Sequence, residues 1–476
     1  MLNKNGTKQI KMVVTTIEDL MPKDHFLRDL DRLVSFDFIY DKVQDLYSQV
    51  GRCSIDPVVV FKMLLIGYLY SIDSERKLEK EIQVNIAYRW FLDLDLDDNV
   101  PDHSTLSQLR SRKFKDTEIF QEIFDEIVRR CMAAGLVDGK LLLTDSTHVK
   151  ANVCEAKREV ITVKEEPSAY MKRVEELAQQ EGLIPEPKKS KPAPKEKTKE
   201  ITKSTSDPDA GFLNRPGKPV GFHFLSHNTI DGNSGIITDV HVTPGNEKDS
   251  TPHSERIRHQ IEKFGFKTEE IGADTGYDSG EIHSDMLAMD IKTYIPEVMH
   301  TNQYSDEVYS RRDFVFDEEN NQYICPNGCM LPYKYFNKAM GTKVYRSSSL
   351  DCKNCPLKEK CCKGKKRTVE RPYHQTESDI QRKNNKTARY NEIMRKRQIW
   401  CEGNNSHQKA RHCLSRAKMR GIEKVREQCL MSSCALNLKR LVKGLKRMEK
   451  SSVLSALTVR FVMFLRVFVR TKPVYA

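Results

Sequence analysis

The stretch LLLTDSTHVKAN, residues 141 to 152, decides the fold. Three consecutive leucines without polar alternation are the pattern of a strand covered on both faces, and such strands belong to sheets flanked by helices. The run ends on an acid, Asp145, and small polar residues follow at once. A carboxylate at the carboxyl end of a buried strand lies at the rim of the sheet, where α/β folds place their ligands. One such acid more often caps a turn. A second, however, ends the next comparable strand: in EEIGADTGYDSGE, residues 269 to 281, the apolar run leads to Asp274.

Between these two acids, GFHFLSHNTIDGNSGIITDVHVTPGN (221 to 246) reads as two strands joined by a DGNSG hairpin turn, SERIRHQIEKF (254 to 264) as a helix, and, after Asp274, KTYIPEV as one more strand. Upstream, the pattern from Met1 to about Phe114 is helical. Pro57 opens a helix through VVVFKMLLIGYLY, and PDHSTLSQLR starts another, capped by Ser104 or Thr105. Short helices with tight turns suit a helix-turn-helix-like module. A further helix is expected at about 117 to 134.

The chain has 476 residues, room for about three domains. Its charge is +12, and between Gln381 and Lys450 there are 20 Lys and Arg against 5 Glu, so this one segment carries +15 and the remainder about −3. A positive field confined to one region favours a polyanion, of which nucleic acid is the commonest. The start MLNKNGTKQIKMVV has no apolar signal core, the 13 cysteines are unevenly placed, and Arg460 and Arg466 interrupt the apolar tail. These features point to a cytoplasmic protein without a disulfide framework or membrane span.

Carboxylates brought together repel one another unless a cation neutralises them. Mg²⁺ suits such a site, and two ions about 4 Å apart promote in-line phosphoryl transfer. The third acid is expected on a helix packed beside the sheet, within RKRQIWCEGNNSHQKARHCLSRAKMRGIEKV (395 to 425). Glu402 and Lys409 lie seven residues apart there, two helical turns, on one face. Glu392 and Glu423 compete for the role. Lys409, Arg411, Arg416, Lys418 and Arg420 form a basic track suited to DNA phosphates.

Six further cysteines occupy a 38-residue window, CPNGC (325 to 329) and CKNCPLKEKCC (352 to 362). Cys352 and Cys355 form a CxxC pair, and Cys361 with Cys325 or Cys329 would complete a tetrahedral thiolate site for structural Zn²⁺. Buried free thiols are the bland alternative. The basic, aromatic run YKYFNKAMGTKVYRSSS could touch DNA.

DSTHVKAN, STSDPDAGF with GKPVGFHF, VTPGN followed by Asp249, ADTGYDSGE, and the long segment from EGNNSHQKARHC to LVK together resemble blocks of bacterial insertion-sequence transposases of the DDE type, most of all the group of insertion sequence eleven-eighty-two. PDHSTLSQLR is similar to that group's leader domain, so the likeness covers nearly the whole chain.

The resemblance implies an RNase-H-like mixed α/β sheet flanked by helices, behind an N-terminal all-α domain and with a small Cys-rich insertion before the last catalytic helix. The implied division is a helical domain at 1–115, a catalytic core at 116–154 and 211–300, a flexible Lys/Glu/Pro-rich insertion at 155–210, a Cys-rich lobe at 301–380, the Glu-bearing basic region at 381–450 and an amphipathic tail at 451–476. It further implies Asp145, Asp274 and Glu402 as catalytic ligands of two Mg²⁺ ions, with Mn²⁺ able to substitute. The expected activity is strand cleavage and strand transfer at element ends, with element and target DNA as partners and a homodimer or higher assembly on DNA, in the bacterial cytoplasm at the nucleoid. The family's Glu helix carries a Tyr, Arg, Glu and Lys signature. Here the Glu402 to Lys409 spacing fits, but the Arg position is Gln398, with Arg397 one place early, and Tyr390 is one residue too far upstream of Arg395. Two other readings remain: a non-catalytic DNA-binding repressor, and a metal-dependent nuclease that never joins strands.

Overall fold

In the computed structural model, the described residues are 12–47, 54–164, 167–184, 198–217, 219–298, 309–362 and 364–469, with side chains described to 450. Five strands carry the central sheet: β1 (Leu141–Lys150), β2 (Gly221–Asp231), β3 (Ile237–Pro244), β4 (Glu270–Gly272) and β5 (Lys292–Tyr294). Their order is β3-β2-β1-β4-β5, and the short strand Gly211–Leu213 continues the edge of β2 past β3. β2 is antiparallel to both β1 and β3, whereas β4 and β5 run parallel to β1.

The leucine run is as buried as its pattern requires, with Leu141, Leu142 and Leu143 at most 2% exposed. One expectation is corrected here. β1 does not stop at Asp145 but continues to Lys150, because β2 pairs with it through Lys150↔His223. What ends near the acid is the other edge. Pairing with β4 covers only Leu141 to Leu143, and that edge is next engaged by a bridge between Lys150 and Arg416. Asp145 therefore lies in the middle of a strand, paired on the β2 edge and unpaired on the other, not at its tip.

The hairpin forms where DGNSG predicted it. Asp231 Oδ1 accepts the Asn233 and Ser234 amides at 3.0 and 2.9 Å, and Gly235 takes the left-handed φ of 76° that the turn needs. The helices at Ile119–Ala133, His253–Phe264 and Ile422–Val469 pack against β3.

The N-terminal helices, where a helical domain is expected at 1–115, pack onto the rest of the core. Pro57 opens the helix Pro57–Leu69, with Asp56 accepting the Val58 amide at 2.7 Å. Almost every residue of that helix is buried, because it packs against the long C-terminal helix. A single hydrophobic cluster runs from Met21 to Val442 and unites this region with the sheet. Its buried Lys62 is balanced by Asp31 at 3.0 Å and by the Phe91 ring. The cap of His103–Gln108 is Asp102, whose carboxylate accepts the Ser104 amide at 2.6 Å, rather than Ser104 or Thr105.

The insertion at 155–210 is also more structured than its composition suggests. It forms an antiparallel ribbon, Arg158–Lys164 with Thr198–Ser204, and a helix, Ala169–Gln180; 185–197 lie outside the described residues. The helix has no core of its own and borrows one: Val174 and Ala178 are buried, and Arg173 pairs with Asp285 at 2.7 Å. The Cys-rich lobe is a five-stranded antiparallel sheet over a second, separate apolar cluster of six residues. The side chains of the expected tail at 451–476 lie outside the described residues. Among those described, no helix is long and apolar enough to cross a membrane.

Candidate active site

Sheet register brings the first two acids together. Leu141 pairs with Glu270 and Leu143 with Gly272, an offset of 129 residues. Asp145 and Asp274 are separated by the same 129. Each acid thus follows the last β1–β4 pair by two residues, at one level of adjacent strands that lie about 5 Å apart. Asp274 leaves β4 as the cap of a short 3₁₀ turn, where its carboxylate accepts the Gly276 amide at 2.9 Å.

The third acid comes from a helix that crosses the same face. Ala388–Arg397, a π-helical turn at Gln398–Glu402 and Gly403–Arg411 form one continuous rod. Gly272 lets it approach: a Cβ there would stand 2.5 Å from Ile393 Cγ2 and 2.9 Å from Leu143 Cδ2. Gly235 does the same beneath Trp400, 2.3 Å from its ring.

The π turn also accounts for the displaced arginine. In an α-helix the residue four before Glu402 shares its face, but a π turn adds a residue to the repeat, so the partner becomes the residue five before. That residue is Arg397. Its guanidinium lies 3.7 Å from Glu402 Oε1 and 3.9 Å from Asp145 Oδ1, so it links the two acids. Glu392, by contrast, is bound to Arg389 and Lys396, and Glu423 to Arg426, away from the sheet acids.

Three neighbours not anticipated from the sequence complete the site. Asn405 Nδ2 donates to Asp145 Oδ2 at 3.0 Å. Asn228, opposite Asp145 on β2, donates weakly to Asn405 Oδ1 at 3.5 Å and Gln408 Oε1 at 3.4 Å, and Gln408 donates in turn to Ser433 at 2.9 Å. Both neighbouring asparagines are contact residues, since Asn404 donates to the Gly235 carbonyl at 3.0 Å. Asp249 is the third neighbour. It accepts from Ser146 Oγ at 2.8 Å and faces Gly276, next to Asp274. Its place in the VTPGNEKDS block was the available signal.

Burial pushes the Asp145 carboxyl up to about 6; Arg397 opposes the rise, while Asp274 and Asp249 add to it. Tyr277, fully buried three residues after Asp274, is raised well above its ordinary value, first by burial and then by Asp145, Asp249 and Asp274. Such a set fits a hard divalent cation by donor chemistry, since every ligand is a carboxylate oxygen and the guanidinium of Arg397 stands where positive charge is needed. The set is not closed around a single point. Among the described residues, the group whose donor atoms all lie within 4.8 Å of one another is Glu79, Asp102 and His103 in the helical region. There His103 is already engaged by Glu79 and by Arg76, at 2.7 and 3.1 Å.

Of the basic track, Lys409, Arg411, Arg416 and Arg420 are exposed. Arg416 and Arg420 are tied to Asn152 at 3.4 and 3.0 Å. Lys418 turns inward, 4.3 Å from the Tyr68 ring centroid and 3.4 Å from the Ile72 carbonyl, and fastens the N-terminal helices to the core. In the lobe, Cys325, Cys329, Cys352, Cys361 and Cys362 gather, whereas Cys355 sits on the turn between the helices Ser349–Lys353 and Lys358–Cys361.

Two family matches cover separate parts of the chain. Residues 15–112 match a transposase domain (DUF772), and residues 324–442 match a transposase DDE domain, a span that includes Glu402 and the cysteine lobe but begins after Asp274. No curated protein matches. Among solved structures, a piggyBac transposase synaptic complex with hairpin DNA is 10% identical, covering 89% of this chain and 81% of that one at a TM-score of 0.28. The Mos1 transposase paired-end complex with the left transposon end is 9% identical, covering 58% and 69% at a TM-score of 0.16.

Proposed function

From a chain that carries two transposase domains, we propose a DDE enzyme of the insertion-sequence type that cuts DNA at the ends of its own element and joins the freed 3′-hydroxyl to target DNA. The observation that carries this reading is the equal register of Asp145 and Asp274, with Glu402 linked to Asp145 through Arg397. The strand order, three antiparallel strands followed by two parallel to the first, supports an RNase-H-like core.

Asp145, Asp274 and Glu402 would hold the divalent ions, Mg²⁺ or Mn²⁺, which when bound supply activation of the attacking oxygen and stabilisation of the leaving one. The chain's own contribution is orientation. Asn405 fixes one oxygen of Asp145, and the Asn228, Gln408 and Ser433 contacts hold Asn405 in turn. Arg397 screens Asp145 from Glu402 and is placed to receive a phosphate. Exposed Lys409 and Arg411, seven and nine residues along the same rod, extend positive charge from the acids and suit a DNA backbone. Synapsis of two ends calls for at least a dimer on DNA, and the site of action would be the nucleoid.

The test is purified chain with Mg²⁺ or Mn²⁺ and a labelled fragment carrying the inverted repeat that flanks the gene. Nicking at the repeat and a strand-transfer product are expected. Binding without nicking in either metal favours the repressor reading, and cleavage without joining favours the nuclease.

A further inference from the structure

The lobe from Tyr309 to His374 is a five-stranded sheet whose buried apolar cluster is Phe314, Tyr323, Leu331, Tyr345, Cys361 and Val369. Six side chains are little for a sheet of that size, and small units of this kind usually need a cross-link or a metal. Two cysteine-bearing segments meet over the cluster. One is the CPNGC turn, closed by the Cys325 amide donating to the Cys329 carbonyl at 2.9 Å and the Gly328 amide to the Cys325 carbonyl at 2.8 Å. In the same turn the Cys329 amide donates to Cys325 Sγ at 3.3 Å, which holds that sulfur over the turn.

The other segment holds Cys352 and Cys361 on the helices Ser349–Lys353 and Lys358–Cys361. Cys361 belongs to the lobe's buried cluster and Cys325 packs against that same cluster, so the two segments meet there.

We propose that Cys325, Cys329, Cys352 and Cys361 form a tetrathiolate site for zinc that staples the hairpin turn to the helical segment. Cys362 lies beside Cys352, but its thiol is engaged by the Gly364 carbonyl at 3.6 Å, and it is left outside the four. Cys355, the fourth ligand expected from the sequence alone, gives way to Cys329, whose amide is already bonded to Cys325. Among the described residues no three of these sulfurs lie within 4.8 Å of one another. Binding therefore draws the two segments together until the sulfurs are about 3.8 Å apart, as tetrahedral Zn–S bonds of about 2.3 Å require. Each ligating thiol releases its proton to solvent.

The experiment uses the full chain, expressed with zinc in the medium and purified under reductant. Elemental analysis is expected to find one zinc per chain, and Co²⁺ exchange to give the intense sulfur-to-metal absorption of four thiolates. Cys325→Ser, Cys329→Ser, Cys352→Ser and Cys361→Ser should each lower retained zinc by about tenfold or more, whereas Cys355→Ser and Cys362→Ser retain it. Should a variant fail to fold, wild-type chain treated with a chelator supplies the second measurement: proteolysis is expected to open within 309–374. Three results overturn the proposal: wild-type chain holding below about a tenth of an equivalent of zinc, a mass loss of two hydrogens that reveals a disulfide among the four, or loss of zinc in Cys355→Ser with full retention in Cys329→Ser. None of these readouts involves DNA, so they stand or fall apart from the transposase reading.

Discussion

The central sheet and the cysteine lobe solve the same problem with opposite means. The sheet shares one apolar cluster with helices from both ends of the chain, from Met21 to Val442, and can therefore carry acids that burial disfavours. The lobe's own cluster has six buried residues and no such reserve. A large core tolerates electrostatic cost at its rim, whereas a small one has to convert its polar residues into structure. On the two readings proposed above, carboxylates serve function and thiols serve scaffold.

The sharpest way to break that comparison is to remove an acid. Asp145→Asn or Asp274→Asn is expected to lower strand cleavage by about a thousandfold or more, the equivalent of several kcal/mol of lost charge stabilisation, while end binding measured by gel shift stays nearly unchanged. Glu402→Gln should behave alike and Glu392→Gln should not, since only Glu402 is linked to Asp145. Loss of both cutting and binding in parallel would instead give these acids a folding role.

Asp278 offers the contrary case within the same core. Burial alone would raise its carboxyl, but hydrogen bonds from His283, the Val298 amide and Arg382 outweigh it and hold the group at about 2. Its stabilisation is thus fully present above the unfolded value near 4 and is lost as pH falls toward 2. Asp278→Asn is expected to cost about 3 kcal/mol in urea unfolding at pH 7, as breaking a buried ion pair does, and to flatten that acid limb.

Asp145 has the reverse sign. With its folded value raised to about 6, the metal-free folded chain keeps a proton that the unfolded chain has lost. Stability from this group therefore falls as pH rises from about 4 to 6 and is level above. In chelator, Asp145→Asn should remove that slope and leave the melting temperature at pH 7 equal to wild type or higher. A lower melting temperature would mean that the carboxylate supports the fold.

Smaller effects sharpen the packing side. Gly272→Ala places a methyl 2.5 Å from Ile393 Cγ2, so it should cost about 1–3 kcal/mol by overpacking and slow cleavage by shifting the Glu402 helix. The exposed Lys150 and Glu155 pair, 3.7 Å apart, should matter least: Lys150→Ala is expected to change stability by less than about 0.5 kcal/mol.

Part of the candidate site was legible in the sequence, because Asp145 and Asp274 follow apolar runs whose burial is a property of composition and pattern, although the strand of Asp145 runs on to Lys150. DGNSG named its own turn, whereas the role of Glu402 rested on resemblance and on its place in the basic helix. Less legible was anything that depended on a distant partner. The insertion at 155–210 looks unable to build a core from its composition, yet Val174 and Ala178 of its helix are buried, with Val174 facing Gly341 of the lobe. The helical region from residue 12 reads as a separate domain because no local pattern reveals that its most apolar helix packs on residues more than 350 positions away.

The amino-acid sequence alone determined the strands, the turn, the acids and the thiols, since each rests on local periodicity or on the chemistry of a side chain. Tertiary structure alone decided that the strand of Asp145 runs on beyond it, that a π turn brings Arg397 to the acids in place of position 398, and that Asn405 and Asp249 stand beside them. The physical reason is that sheet register and helix phase are fixed by pairing and packing with remote segments, and a shift of one residue in either redirects a side chain without leaving a local mark.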